Sequence, residues 1–425
     1  MKRRFRRAAP PCARRPLPPP FEAVAEKCAY GGDAIARAPD GRVAFISGAL
    51  PGERVAAEPY LDKKSFVKCR AARILEPSPD RTHTPASGVP GCVYGDFSYE
   101  AEIAAKKSQL EDFLAKAARA AGAEIAVPVA VHPSPSPLRY RNKTVLHAGF
   151  APDGSRALGY MIEPSHRVFD LPACPLALPQ IADAMPEVRR KVFADFRPGG
   201  NVTVRFTPHD GTVWWTSRGA PPAQPLVETV CGAEFEVAAD GFWQVNPATG
   251  AALVRAVADR CLETPSAPLV DLYCGAGSFG IVCAREAALK TGRAPALTGL
   301  EISARAVECA RRNAARNGIS ARFEAGPVAA LLERAGVRPE STVVADPPRG
   351  GFEPGVARAL AECGARRIMC VSCDPATLAR DLAPLLENYS VGSAEMFDMF
   401  PRTARFETFL VLERRARPIS CARRL

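Results

Sequence analysis

The chain has 425 residues, 47% of them hydrophobic, and a formal net charge of +11. That length exceeds a single ordinary domain of roughly 100–200 residues. No apolar run reaches the roughly 18 residues that a membrane-spanning helix requires. Fourteen cysteines without an apolar export signal point to a reducing, cytoplasmic setting rather than a disulfide scaffold.

The charge is concentrated at the ends. Residues 1–20 carry seven Lys or Arg and residues 414–425 carry five, with no acid in either, so the body is left at −1. Such tails suit phosphate contacts, and they equally suit solubility alone. Prolines spoil any amphipathic helix in residues 1–20, which read as a disordered basic arm.

Residues 21–77 read as short strands between Gly and Pro turns, as in GRVAFISGALPGERVAAEPY, and suggest a small barrel. Residues 99–122 space their apolar side chains as a helix does and end on Gly122. The proline-rich VHPSPSPLRYRNK (131–143) marks a boundary. Residues 139–244 then read as strands and loops, with TVLHAGF, NVTVRF and TVWWTS as candidate strands. From residue 267 strands alternate with helices: PLVDLY, ALTGLE, ARFEA, STVVAD, RRIMCVS and RFETFLVLE are the strands. The clearest helix is SARAVECARRNAARNG, with Ser303 as N-cap and Gly318 beyond its end. This alternation predicts an α/β fold with a parallel sheet covered on both faces.

DLYCGAGSFG (271–280) follows a predicted strand and opens a helix. Gly275, Gly277 and Gly280 permit a tight turn and close approach of a ligand to the backbone. Glu301 ends the next strand, 21 residues after Gly280, where a carboxylate accepts from ribose hydroxyls. A dinucleotide oxidoreductase shows the same turn and acid, and an unliganded turn is a further alternative. Asp271, placed to hold an ammonium group, and the position of the loop deep in the chain favour S-adenosylmethionine.

Three later segments carry chemistry. In VVADPPRGG (343–351), Pro347 and Pro348 make a rigid lip, and Asp346 is placed to accept from the ring N–H of a planar base; a plain turn is the alternative. In RRIMCVSCDPATLARDL (366–382), Cys373 falls where a strand ends and a helix starts, with Pro375 in the first turn. The helix dipole favours its thiolate and Asp374 opposes it. Cys370 and Cys373 form a C-x-x-C, so redox or zinc use is an alternative, with Cys370 otherwise a small core residue. In FDMFPRTARFETFLVLER (397–414), Pro401 ends a strand and Glu407 opens the next one. Burial raises the pKa of such a carboxylate and makes it a base near neutrality, unless it pairs with Arg402 or Arg405. Together these residues suit methylation at C5 of a uracil. A thiolate adds at C6, C5 becomes nucleophilic, and a base then removes the C5 proton.

The order DLYCGAGSFG, ADPPRGG, VSCDPATLARDL, DMFPRTARFE resembles the RNA (uracil-5-)methyltransferase family. DGFWQVNP (240–247) resembles its cofactor-capping segment, and RYRNK (139–143) and EPSHRVFDLPACP (163–175) resemble its central motifs. ISGALPGERV within 21–77 resembles its TRAM module, an OB-like barrel that binds RNA. The resemblance runs from residue 21 to 414. It implies an arm (1–20), a TRAM barrel (21–78) and a β-rich central RNA-binding domain (79–244). A class I S-adenosylmethionine-methyltransferase domain of Rossmann-like fold (245–425) follows, with helix 99–122 packed on it.

By this resemblance Cys373 is the nucleophile, Glu407 the base and Asp346 the uracil-orienting acid. Gln244, Tyr273, Glu301 and Asp346 line the cofactor, beside Asp271, Gly275 and Gly277 of the glycine turn. The module content implies a uridine of structured RNA as substrate, in 23S ribosomal RNA ahead of tRNA, and a monomer with no membrane partner. An RNA cytosine-C5 enzyme, an inactive RNA-binding protein and a dinucleotide oxidoreductase are the rivals. Members with a TRAM module usually carry four cluster cysteines. Here PASGVPGC (85–92) keeps only Cys92, with Cys174 matching the distant fourth. Two thiolates are too few for a [4Fe–4S] cluster, so no iron–sulfur cluster and no metal are expected. Asp374 and Arg402 stand where the family has Asn and His.

Overall fold

The computed structural model describes residues 16–162 and 165–415. Most of the basic arm expected at 1–20, the basic tail after Arg415, and Glu163 and Pro164 of the central motif lie outside the described residues. The chain forms two compact units: residues up to His83 with Asp96–Ala101, and Thr84–Gly95 with the residues from Glu102 onward.

The first unit is a six-stranded sheet in the order Phe21–Val24, Arg54–Asp62, Phe66–Glu76, Val43–Ser47, Ala34–Arg37, Lys27–Cys28. Alternate residues turn inward, as the two-residue period of a strand requires, so Ala34, Ala36, Ala44, Ile46, Val55 and Val67 are buried together. Register shifts at Pro59/Leu61 and Ala56/Ala57 bend the two long strands. Glu53 is fully buried and accepts from the backbone N–H groups of Leu50 and Ser78 and from Arg81. One carboxylate thereby closes several loop ends that would otherwise leave buried donors unpaired.

In the second unit, a five-stranded antiparallel sheet runs Arg167–Asp170, Arg156–Ile162, Lys143–Phe150, Asn201–Thr207, Gly211–Thr216. Helix Pro179–Ala194 covers it, burying Ile181, Met185, Val188 and Val192 along one stripe. This helix lies within residues 139–244, where strands and loops were expected. Pro186 lies inside it, a residue that ordinarily signals a break.

An eight-stranded sheet organises the rest. Its order is Ala321–Ala325, Leu297–Glu301, Leu269–Leu272, Thr342–Ala345, Arg367–Ser372, Glu407–Arg414, Tyr389–Phe397, Val129–His132. The first five are parallel and Glu407–Arg414 is antiparallel to both neighbours. Residues 269–272, 342–345 and 367–372 are buried throughout, as expected of strands with helices on both faces. Two segments cross the boundary drawn at residue 244. Val129–His132 adds the eighth strand beside Tyr389–Phe397, and hairpin Leu226–Val237 buries Val230, Phe235 and Val237 in the same core as Phe279 and Val282. Pairing across such sequence distances leaves no local pattern. The strand expected to end at Pro401 ends at Phe397, and Asp398 begins a loop.

Candidate active site

The strand order reverses between Leu269–Leu272 and Thr342–Ala345, and such switch points open a crevice at the carboxyl ends of the strands. The glycine turn sits there. Tyr273, Gly275 and Gly277 all have left-handed backbones, with φ of 60°, 53° and 87°, before helix Ser278–Thr291. A Cβ on Gly275 would meet nothing within 4 Å, so bare backbone faces the cleft. Glu301 accepts from the N–H of Gly275 at 3.1 Å and of Ser303 at 2.8 Å, which fixes its carboxylate at the end of its strand. Tyr273 stacks on Phe352 and its hydroxyl accepts from the N–H of Glu353.

Gln244, Tyr273, Gly275, Glu301 and Asp346 all line one cleft of about 720 Å³. Asn246 explains how Gln244 arrives there. It caps helix Pro247–Cys261 through the N–H of Thr249 and donates to Ser134 and to the carbonyl of Met399. The Asn-Pro pair at 246–247 is the local sequence signature of that cap.

Asp271 departs from the expectation. It is 1% exposed and lies beneath the turn, where Oδ2 accepts from the N–H of Gly280 at 2.9 Å. A Cβ on residue 280 would approach that oxygen to 2.8 Å, so the glycine makes the contact possible. Oδ1 has no hydrogen-bond partner among the described residues. Burial, then the nearby Asp346 and Glu301 charges, push its carboxyl up to about 7 against the single hydrogen bond. Gly277 likewise shapes the turn rather than lining the cleft. Glu301 and Asp346 thus line the cleft, with Asp271 buried beneath its turn, an acceptor set that suits a cationic ligand with hydroxyl groups. S-adenosylmethionine, with its sulfonium, ammonium and ribose, has that chemistry.

Beside the cleft, the sheet brings the other candidates together by register alone. Ser372 pairs with Thr408 in the antiparallel ladder, so Cys373 and Glu407 are the next opposed positions as the strands part. Ala345 is level with Leu272 and Cys370, which puts Asp346 one step further, at the level of Tyr273. Cys373 is half-buried; burial, then the Glu407 and Asp346 charges, push its thiol up to about 11, with Arg349 opposing. Glu407 is 4% exposed, and its carboxyl is driven far above the usual range by burial and then by Asp346, again with Arg349 opposing. Burial pushes Asp346 up to about 7. Asp346 is therefore the group common to the cleft and to the Cys373–Glu407 pair.

Arg405 pairs with Asp374 at 2.7 Å and Arg402 with Glu102 at 3.4 Å, whereas one oxygen of Glu407 has no hydrogen-bond partner among the described residues. Cys370 is buried in its strand opposite Leu410, with its thiol pushed up to about 12, and is a core residue. Asp374 is the N-cap of helix Pro375–Leu385, accepting from the N–H groups of Ala376 and Thr377. Cys92 and Cys174 are buried in one apolar cluster with Leu146 and Leu176, and the Cys174 sulfur lies 3.2 Å from the Tyr160 hydroxyl. Among the described residues no three His, Cys, Asp or Glu are grouped to hold a metal ion. Arg349, whose charge acts on both Cys373 and Glu407, and the Asp374–Arg405 pair carry no local sequence signal that marks them.

The sequence pattern described as tRNA (Uracil-5-)-methyltransferase matches residues 338–415, and a general methyltransferase domain matches 263–342. The chain is 31% identical to an uncharacterized RNA methyltransferase of Streptomyces coelicolor, over 92% of each chain. It is 30% identical to the 23S rRNA (uracil(1939)-C(5))-methyltransferase RlmD of Alkalilimnicola ehrlichii, over 95% of this chain and 99% of that one. The chain belongs to the RNA (uracil-5-)methyltransferase family. The tRNA (uracil-54, C5)-methyltransferase of Pyrococcus abyssi, solved with S-adenosyl-L-homocysteine, has the same fold: TM-score 0.69 at 21% identity, over 92% of this chain and all of that one. As a member of the RNA (uracil-5-)methyltransferase family, this chain is an S-adenosylmethionine-dependent enzyme that methylates C5 of uracil in RNA. Among the described residues no helix is long and apolar enough to cross a membrane.

Proposed function

We propose that this enzyme methylates C5 of one uridine in 23S ribosomal RNA through a covalent bond between Cys373 and C6, acting as a cytoplasmic monomer. The observation that carries the mechanism is the opposition of Cys373 and Glu407 where their ladder opens, with Asp346 reaching both that pair and the cleft. Gln244, Tyr273, Gly275, Glu301 and Asp346 hold the cofactor, which supplies an electrophilic methyl group when bound. Asp271 supports the turn from below.

The Cys373 thiolate adds to C6 of the flipped-out base and its electron pair moves the ring to an enolate nucleophilic at C5. Asp346 meets the polar edge of the base. Once C5 carries the methyl group, Glu407 takes the C5 proton, the C5=C6 double bond reforms and Cys373 leaves. A base held by burial well above the ordinary carboxylate range has the affinity to accept that proton.

Cys373→Ala is expected to abolish methyl transfer while calorimetry still shows cofactor binding; retained activity would overturn the nucleophile assignment. The TRAM-like module and the 23S rRNA (uracil(1939)-C(5))-methyltransferase of Alkalilimnicola ehrlichii both support 23S ribosomal RNA as the substrate. Nucleoside mapping of ribosomal RNA and tRNA from a deletion strain and its parent tests it, and a 5-methyluridine lost from tRNA alone would replace that substrate with tRNA.

A further inference from the structure

The loop Asp398–Phe406 joins Phe397 to Glu407, which are themselves paired across the ladder, so Glu407 stands at the mouth of a hairpin. Nearly every residue at the start of this loop is gripped by a segment far away in sequence. Lys106, on helix Tyr99–Ala121, donates to Asp398 at 2.7 Å, to Glu102 at 2.7 Å and to the carbonyl of Phe400 at 3.3 Å. Asn246 holds the carbonyl of Met399, and the Tyr140 hydroxyl donates to the carbonyl of Pro401 at 2.9 Å. The Arg402 N–H donates to Glu102 at 2.7 Å and its carbonyl accepts from the N–H of Tyr94. Arg402 has a left-handed backbone, φ 67°, which a residue with a Cβ keeps only where its surroundings impose it.

Lys106, Glu102 and Asp398 are each 0% exposed. An ammonium group has three donors, and here each meets an oxygen. Burying such a cluster is not an efficient route to stability, since apolar side chains of similar volume often do as well. What it supplies is fixed geometry, one residue away from the rung that carries Glu407.

We propose that Lys106, acting with Glu102 and Tyr140, is a positioning group that sets the Glu407 carboxylate for removal of the C5 proton. The proposal rests on the reading of Glu407 as that base. Loosening the clamp should leave addition of Cys373 and methylation largely intact and slow the step that resolves the methylated covalent complex.

The test uses the full-length enzyme with an RNA substrate and cofactor, following single-turnover methylation and the enzyme–RNA adduct on denaturing gels. Lys106→Met paired with Asp398→Asn removes one charge of each sign. Near-wild-type cofactor affinity, a kcat lower by about 10- to 100-fold and accumulation of methylated adduct are expected, as for a displacement of about 1 Å at the reacting atoms. Tyr140→Phe removes one hydroxyl without touching charge and is expected to show the same signature more weakly, which keeps the proposal testable should the double variant fail to fold. Unchanged kcat in Tyr140→Phe, or loss of adduct formation and cofactor binding together in a folded double variant, would overturn it. Glu407→Gln serves as the reference. If it traps adduct and the clamp variants do not, only the clamp proposal fails; if it traps none, the assignment of the base fails and the clamp proposal falls with it.

Discussion

Asp374 uses one carboxylate oxygen to cap the helix behind Cys373 and the other to pair with Arg405 at 2.7 Å. The family's Asn at this position offers the same cap, so the Asp of this chain adds a tie from the turn of the nucleophile to the loop that leads into Glu407. Asp374→Asn is expected to keep the cap and lose the tie, costing no more than about 1 kcal/mol for a partly exposed pair. Asp374→Ala should lose the cap as well, a further cost of about 0.5–2 kcal/mol. Urea denaturation of both variants checks this, and equal losses would mean that the cap contributes nothing.

The carboxyl groups around Cys373 oppose its ionisation. Alkylation of Cys373 by iodoacetamide should keep accelerating as pH rises towards about 11, because burial and the Glu407 and Asp346 charges favour the thiol. Glu407→Gln removes one of those charges wherever Glu407 is ionised, and should shift the upper limb of the alkylation profile to lower pH. Slower alkylation in this variant would instead assign Glu407 to deprotonating the nucleophile.

Asp271 is a buried acid whose carboxyl is raised to about 7 from its ordinary 3.8. A folded-state value above the unfolded one means that the protein loses stability as pH rises through the interval between them. Asp271→Asn, which keeps an acceptor for the N–H of Gly280, should match the parent at pH 4 or below. It should then gain a growing advantage up to pH 7, of the order of 1.4 kcal/mol per pKa unit removed. Melting temperatures of the cofactor-free proteins across that range decide it. An advantage that does not grow with pH would show that the carboxyl is already accommodated as its anion.

Gly250 lies in helix Pro247–Cys261, where Ala would ordinarily stabilise by up to about 1 kcal/mol. Here a Cβ would come within 2.8 Å of the Gln244 Cβ, on the segment that lines the cleft. Gly250→Ala is therefore expected to weaken cofactor binding about tenfold, about 1.4 kcal/mol, with little change in melting temperature. Unchanged affinity by calorimetry would remove Gln244 from the cofactor's contacts.

The alternation of strands and helices after residue 267, the glycine turn, and the positions of Cys373 and Glu407 at strand ends are all written in the amino-acid sequence, whereas the antiparallel course of Glu407–Arg414, expected within a parallel sheet, is not. The former are local properties: side-chain periodicity, caps such as Ser303, and the conformational demands of Gly and Pro act over a few residues and are written where they act. Tertiary structure alone decided which partners those residues meet. It sent Arg402 to Glu102 and Arg405 to Asp374, buried Asp271 beneath the turn, and brought Val129–His132 to the edge of the catalytic sheet. It also joined Lys106 to Asp398 across 292 residues. Charge pairing and desolvation depend on distances in space, and chain separation carries no record of them.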